Sequence, residues 1–134
     1  MITVFKAASA PLWNRRVLRG AAILATLFLA TTIAALTLSP PSPHAAGFLS
    51  DKAQHAIAFG ALALPCAIVY PRALMWVLPL AVVFGAAIEI VQPMVGRDAE
   101  FLDFIADIAG LTIGTLAGLT VRPVLRLRHR LLPR

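Results

Sequence analysis

The sequence lacks much of what a small soluble or secreted domain needs. Only 13% of its 134 residues are charged, whereas about 25% is usual in soluble domains. It has one cysteine, Cys66, so no disulfide can form within the chain. Apolar residues make up 60% of it, which excludes disorder, and a chain this short has too little interior to bury them all. We therefore expect an integral membrane protein, and the length excludes a multidomain enzyme.

Four apolar runs are each long enough to cross a membrane, since a bilayer core of about 30 Å needs about 20 apolar helical residues. They predict helices at about 17–38, 53–70, 73–92 and 101–121. The first run stops at the proline-rich segment 39–43, and the second and third meet at the short segment 70–72. Short connections favour antiparallel neighbours, so the sequence predicts an all-α, antiparallel four-helix transmembrane bundle, a single domain over residues 1–134.

A cleaved signal peptide is the alternative interpretation of the first run. Basic residues precede the run, and small residues that suit cleavage follow it at 44–46. However, the run is longer than the usual signal-peptide core of about 7–15 apolar residues, and prolines separate it from the small residues. We therefore expect the first helix to be retained as a membrane anchor.

The basic residues are concentrated at one end of the predicted bundle. Of the 12 Lys and Arg residues, all except Lys52 and Arg97 lie before or at the start of the first helix, between the second and third, or after the fourth. Because cytoplasmic segments are enriched in Lys and Arg, we expect basic cytoplasmic tails at 1–16 and 122–134 and a location in the inner (plasma) membrane. No aromatic or groove-reading motif accompanies the basic tails, so a nucleic-acid partner is not expected.

All six acidic residues lie at the opposite, non-cytoplasmic end of the predicted helices. Ionisable residues inside a membrane are usually paired or line a wet cavity. We therefore predict an acidic pocket that opens at the outer surface. Its predicted ligand-binding residues are Asp51, Lys52, His55, Glu89, Gln92, Arg97, Asp103 and Asp107. The two remaining acids, Asp98 and Glu100, are expected to be solvated loop charges.

Helical spacing directs two of the acids towards the bundle interior. Asp103 and Asp107 are four residues apart and share a helix face. The same face continues through Gly110, Gly114 and Gly118. Because small residues at this spacing let another helix approach closely, we expect the two aspartates to face the bundle instead of lipid.

Some of these residues also have a purely structural interpretation. Asp51 could be the N-cap of the second helix, and Lys52 could extend its amine to the membrane interface. Glu89, Asp103 and Asp107 are harder to explain in this way, because a helix end needs no carboxylate that faces a glycine-rich surface.

Three motifs in this polar set resemble those of VanZ-like membrane proteins. Residues 51–59 match Asp-Lys-x-x-His-x-x-x-Phe, and residues 89–97 match Glu-x-x-Gln followed by Gly-Arg. Residues 103–110 are similar to Asp-x-x-x-Asn-x-x-Gly, with Asp107 in place of the asparagine. The resemblance covers about residues 50–118. The resemblance implies a cell-envelope protein that binds or acts on amphiphiles at the outer leaflet. It also implies a role in resistance to the glycopeptide antibiotic teicoplanin.

The function expected first is the binding or modification of an amphiphilic ligand by the outward-facing pocket. The acyl part of the ligand would lie against the helices, and its headgroup would meet the polar residues. The expected partners are membrane lipids and either a lipid-linked cell-wall precursor or an amphiphilic antibiotic. The sequence leaves open whether the protein forms a homo-oligomer and whether it is an enzyme.

Two other functions stay open. A small membrane hydrolase or transferase would use His55, Glu89 or Asp103 as catalytic groups. Against this function, the polar set contains no serine or cysteine nucleophile, and the only serine nearby is Ser50. A divalent metal held by the three catalytic groups and Asp107 is chemically reasonable, but no dense metal motif supports it, so no metal or cofactor is predicted. A proton or cation relay is expected least, because the polar residues stop in the outer half of the helices.

Overall fold

In the structure, a computed structural model, residues 14–40 and 49–131 are described, the last six by their helical backbone alone. Within these residues the chain forms four α-helices: α1 (Arg15–Thr37), α2 (Asp51–Val69), α3 (Leu74–Val91) and α4 (Phe101–Leu131). Short 3-10 turns at Pro71–Ala73 and Gln92–Val95 flank α3. The predicted all-α fold class is confirmed, and all four helices are long and apolar enough to cross a membrane.

The first two membrane helices begin slightly earlier than predicted, because each has a polar N-cap. Asn14 Oδ1 accepts a hydrogen bond from the Arg16 N–H at 3.0 Å. Ser50 Oγ accepts one from the Ala53 N–H at 3.3 Å. These side chains satisfy backbone donors that the first helical turn leaves free. The N-cap of α2 is therefore Ser50, and Asp51 is the first residue of the helix.

The last helix is longer than predicted. α4 continues past 121, through Pro123, and reaches Leu131 in what the sequence indicated as a basic tail. An interior proline removes one backbone hydrogen bond, but the surrounding Leu and Arg residues favour helix and the helix continues. Residues 1–13 of the predicted N-terminal tail lie outside the described residues, as does the alternative cleavage segment at 44–46.

The central helix of the bundle is α2, which contacts each of the other three helices and packs most extensively against α4. A methyl group at Gly110 or Gly114 of α4 would collide with the backbone of α2, at the carbonyl oxygens of Ala56 and Gly60 respectively. The predicted close approach along this glycine face is thereby confirmed. Because the contacts advance in the same order along both helices, α2 and α4 run in the same direction, whereas consecutive helices run antiparallel.

Apolar side chains fill the interior and also cover the outside of the bundle. One interior group centres on Phe59 and Leu111, and a second, towards the other end of α2, includes the free cysteine Cys66. On the outside, large side chains such as Phe28 and Trp76 are 70% and 67% exposed. An exterior this apolar suits contact with lipid.

Candidate functional site

One end of the bundle, where α2 and α4 begin and α3 ends, holds a set of polar side chains that we call the polar cluster. Its members are Asp51, Lys52, His55, Glu89, Gln92, Arg97, Glu100, Asp103 and Asp107. The loop from α3 to α4 turns at Gly96, whose φ of 77° lies in the left-handed region that glycine adopts without strain. This turn directs the loop back towards the start of α4.

A buried histidine–aspartate pair connects α2 to α4 within the polar cluster. His55 Nδ1 and Asp107 Oδ1 are 2.9 Å apart, and the two side chains are only 3% and 1% exposed. The second oxygen, Asp107 Oδ2, has no hydrogen-bond partner among the described residues. A methyl group at Gly85 of α3 would lie 2.7 Å from that oxygen. Three helices therefore enclose the pair.

A lysine forms ion pairs with two carboxylates nearer the surface. Lys52 Nζ is 2.5 Å from Glu100 Oε2 and 3.3 Å from Asp103 Oδ1. Lys52 and Glu100 are about half exposed, whereas Asp103 is 2% exposed. Burial of an unpaired carboxylate is unfavourable, so the lysine compensates for the buried charge of Asp103 while its own ammonium stays accessible.

Glu89 stabilises the loop between α3 and α4 through a hydrogen bond. Its Oε2 accepts a hydrogen bond from the backbone N–H of Glu100 at 3.0 Å, directly before α4 begins. A carboxylate at this position also meets the positive end of the α4 dipole. Its other oxygen, Oε1, is buried and has no hydrogen-bond partner among the described residues. Glu89 thus holds the loop with one oxygen and keeps the other as a free acceptor.

Gln92 and Arg97 complete the polar cluster. Gln92 is 2% exposed, and its Nε2 donates to the Thr37 carbonyl of α1 at 3.5 Å, while its Oε1 lacks a partner within the described part of the chain. Arg97 Nη2 is 3.8 Å from Asp51 Oδ1, and both side chains are partly exposed. An ion pair this long and exposed contributes little stability, so Arg97 can turn to a ligand at small cost.

The structure brings all eight predicted ligand-binding residues to one end of the bundle, and their role in binding stays a prediction. Asp98 is exposed, as expected. Glu100 is also an exposed loop residue, as expected, but it pairs in addition with Lys52 and donates its N–H to Glu89, which the sequence did not predict. Glu100 lies outside the predicted helices, so helical spacing could not place it. One feature of the sequence pointed to this pairing: Lys52 is a cation among acidic residues and needs a carboxylate partner.

Two overlapping groups within the polar cluster have a composition that can hold a cation, and His55 belongs to both. One group adds Asp51 and Asp103, and the other adds Glu89 and Asp107. In each group, one ligand atom per residue lies within 4.8 Å of the others. Mixed nitrogen and oxygen donors suit several divalent cations.

Comparison with known proteins finds no relative of this chain. No protein-family model, no curated protein and no solved structure matches the chain. Membership of the VanZ-like family, expected from the three motifs, therefore stays a prediction, and the function has to be inferred from the polar cluster itself.

Proposed function

We propose that this chain is a VanZ-like integral membrane protein of the cell envelope whose polar cluster binds the headgroup of an amphiphilic ligand at the outer leaflet. The observation that carries the proposal is the position of the polar cluster at the helix ends, with exposed cations beside buried free acceptors. The ends of membrane-spanning helices lie at the depth of lipid headgroups.

The polar cluster can complement both the charge and the hydrogen bonds of a headgroup. Lys52 and Arg97 are 42% and 24% exposed, so they can contact a phosphate or carboxylate. Glu89 Oε1 and Gln92 Oε1 are buried acceptors with no partner among the described residues. Hydroxyl or amine donors of a sugar-containing headgroup would satisfy them, which would stabilise the bound state.

Apolar side chains next to the polar cluster can hold the tail of the ligand. Phe101 and Leu102, at the start of α4, are 74% and 59% exposed. Ile57 of α2 is 58% exposed and lies less than two turns along the helix from Lys52. An acyl or polyprenyl chain can therefore lie against the helices while its headgroup contacts the polar cluster.

The ligand classes that fit this arrangement are a lipid-linked cell-wall precursor and an amphiphilic glycopeptide antibiotic. Both combine an apolar chain with a headgroup rich in donors and acceptors. The resemblance to VanZ-like proteins supports the same two classes and a role in teicoplanin resistance. The sorting of Lys and Arg supports an inner-membrane location with both termini in the cytoplasm and the polar cluster outside.

The test uses the full-length protein in lipid nanodiscs and two probes, teicoplanin and a polyprenyl diphosphate. We expect saturable binding of at least one probe, weakened about tenfold or more in a Lys52→Gln, Arg97→Gln double variant because charge-assisted contacts are lost. Asp98→Asn removes an exposed charge of the same loop and should bind like the wild type. Absence of binding by both probes, or equal binding by the double variant, would refute the proposal.

A second function, hydrolysis or group transfer on the same ligand, is favoured by the buried His55–Asp107 pair. A carboxylate that orients a histidine is typical of a general base. Ser50 Oγ acts as the N-cap of α2, so the attacking group would be water or a substrate hydroxyl. Glu89 and Asp103 are the other catalytic candidates. Breakdown of either probe in nanodiscs, lost in His55→Gln, would establish this function over simple binding.

A proton or cation relay is not proposed. Among the residues whose side chains are described, no fully buried Asp, Glu, His, Lys or Arg lies outside the polar cluster. The chain of ionisable groups that a relay needs therefore does not continue along the described helices.

A further inference from the structure

His55, Glu89 and Asp107 meet at the base of the polar cluster, where α2, α3 and α4 come together. One ligand atom from each residue, a ring nitrogen or a carboxylate oxygen, lies within 4.8 Å of the other two. Ligands of a tetrahedral metal ion with bonds of about 2.1 Å stand about 3.4 Å apart. The three side chains therefore need to move by only roughly 1 Å to surround one ion.

Two buried oxygens of this group have no hydrogen-bond partner among the described residues, Glu89 Oε1 and Asp107 Oδ2. Asp107 is 1% exposed, and a methyl group at Gly85 would lie 2.7 Å from Oδ2. Gly85 and Glu89 are four residues apart on α3, so both oxygens lie along the same helix face. A buried acceptor without a donor or cation is unfavourable, and one ion between the helices would satisfy both.

Charge balance distinguishes this group from the other candidate group of the polar cluster. In the other group, Asp103 pairs with Lys52 at 3.3 Å and Asp51 pairs with Arg97 at 3.8 Å. No Lys or Arg whose side chain is described forms an ion pair with Glu89 or Asp107. The carboxylates without a permanent cationic partner are therefore those that an added cation would neutralise.

We propose that His55, Glu89 and Asp107 bind a divalent first-row transition metal ion, with Zn²⁺ and Mn²⁺ the best matched. Imidazole favours zinc, and carboxylate oxygens are accepted by both ions. The ion takes the free oxygens Asp107 Oδ2 and Glu89 Oε1 and a ring nitrogen of His55. Where that nitrogen is Nδ1, the proton that it shares with Asp107 Oδ1, 2.9 Å away, is released to water. Three protein ligands leave at least one coordination position open.

The metal site goes beyond the proposed function and does not depend on it, because all three ligands come from the protein. Where both hold, the open coordination position would accept an oxygen of the headgroup. The metal would then contribute to headgroup recognition from the base of the polar cluster.

The test uses the full-length protein in detergent, stripped of metal and lipid, with Zn²⁺ alone and Mn²⁺ alone as probes. Elemental analysis after gel filtration should find one ion of at least one metal per chain. Glu89→Gln and Asp107→Asn should each weaken that affinity about 100-fold or more, since each removes a ligand. Asp98→Asn removes an exposed carboxylate at the same end and should bind like the wild type.

A measurement on the wild type avoids variants that fail to fold. X-ray absorption of the metal-loaded protein should show one imidazole nitrogen among oxygen ligands. The proposal is overturned if the wild type binds neither metal, if the ion has no imidazole ligand, or if Asp51→Asn loses binding while Glu89→Gln keeps it. Because no amphiphile is present, failure here with probe binding in nanodiscs intact would leave the proposed function standing.

Discussion

Two cross-helix pairs lie one turn apart at the start of α2 and α4. Lys52 pairs with Asp103, and His55 pairs with Asp107. The sequence predicted that these residues lie at one end, because they fall near the starts of the predicted helices. Helical spacing predicted that the two aspartates face inwards. The sequence could not predict which residue pairs with which, because that depends on the register of α2 against α4. The contacts of Glu100 with Lys52 and Glu89 were not predicted either, because helical periodicity does not apply to a loop residue.

At the residue scale, removal of His55 should lower the stability of the protein, because burial of an unpaired Asp107 carboxylate is unfavourable. In the metal-stripped protein, Asp107 Oδ1 is hydrogen-bonded to His55 and Oδ2 has no partner among the described residues. His55→Ala removes the one hydrogen bond, so both oxygens are then buried without a partner. We expect the free energy of unfolding to fall by about 1–3 kcal/mol. Unfolding in mixed micelles with increasing denaturing detergent, followed by circular dichroism, measures this change.

The matched control for this prediction is Asp107→Asn added to the His55→Ala variant. A neutral amide is less unfavourable to bury than an unpaired carboxylate, so part of the lost stability should return. A His55→Ala variant as stable as the wild type would show that the histidine does not stabilise the aspartate.

At the scale of elements, the four helices follow from the apolar runs, but their packing follows only in part. The glycine face of α4 predicted a close helix contact without identifying its partner. Short loops favour contact between consecutive helices, yet α4 packs most extensively against α2, with which it runs parallel. The continuation of α4 to Leu131 was also missed, because the predicted helix ended where the apolar run ends, before Arg122, whereas the helical backbone continues into the basic segment.

This contact predicts different effects for two glycine-to-alanine changes. A methyl group at Gly114 would collide with the carbonyl oxygen of Gly60, so Gly114→Ala should lower the free energy of unfolding by about 1–3 kcal/mol. Gly20 of α1 has no neighbouring atom within 4 Å of such a methyl group. Gly20→Ala should therefore be neutral, or stabilising by up to about 1 kcal/mol through helix propensity.

The same unfolding assay in mixed micelles compares the two glycine variants. Each change adds one methyl group to a helix interior, so Gly20→Ala controls for the substitution itself. If both variants have the stability of the wild type, α2 and α4 do not approach as closely as the glycine contacts indicate.

At the scale of the whole molecule, charge is sorted between the two ends of the bundle. Opposite the polar cluster, a groove of about 840 Å³ lies among α1, α4 and the turn between α2 and α3. Four arginines are among the residues that line the groove: Arg15, Arg19, Arg72 and Arg122. The Arg19 guanidinium lies 5.0 Å from the centre of the Tyr70 ring. Because cytoplasmic ends of membrane proteins are rich in Lys and Arg, this end is expected to face the cytoplasm.

Site-directed labelling of intact cells tests this orientation. Cys66 is the one native cysteine and is buried, and Cys66→Ala removes it. In that background, a single cysteine introduced by Arg72→Cys or by Asp98→Cys is the group that is labelled. A membrane-impermeant maleimide should modify position 98 in intact cells and position 72 only after permeabilisation. The reverse pattern would place the polar cluster in the cytoplasm and exclude ligands of the outer leaflet. The metal site would remain, because its three ligands do not depend on which side of the membrane they face.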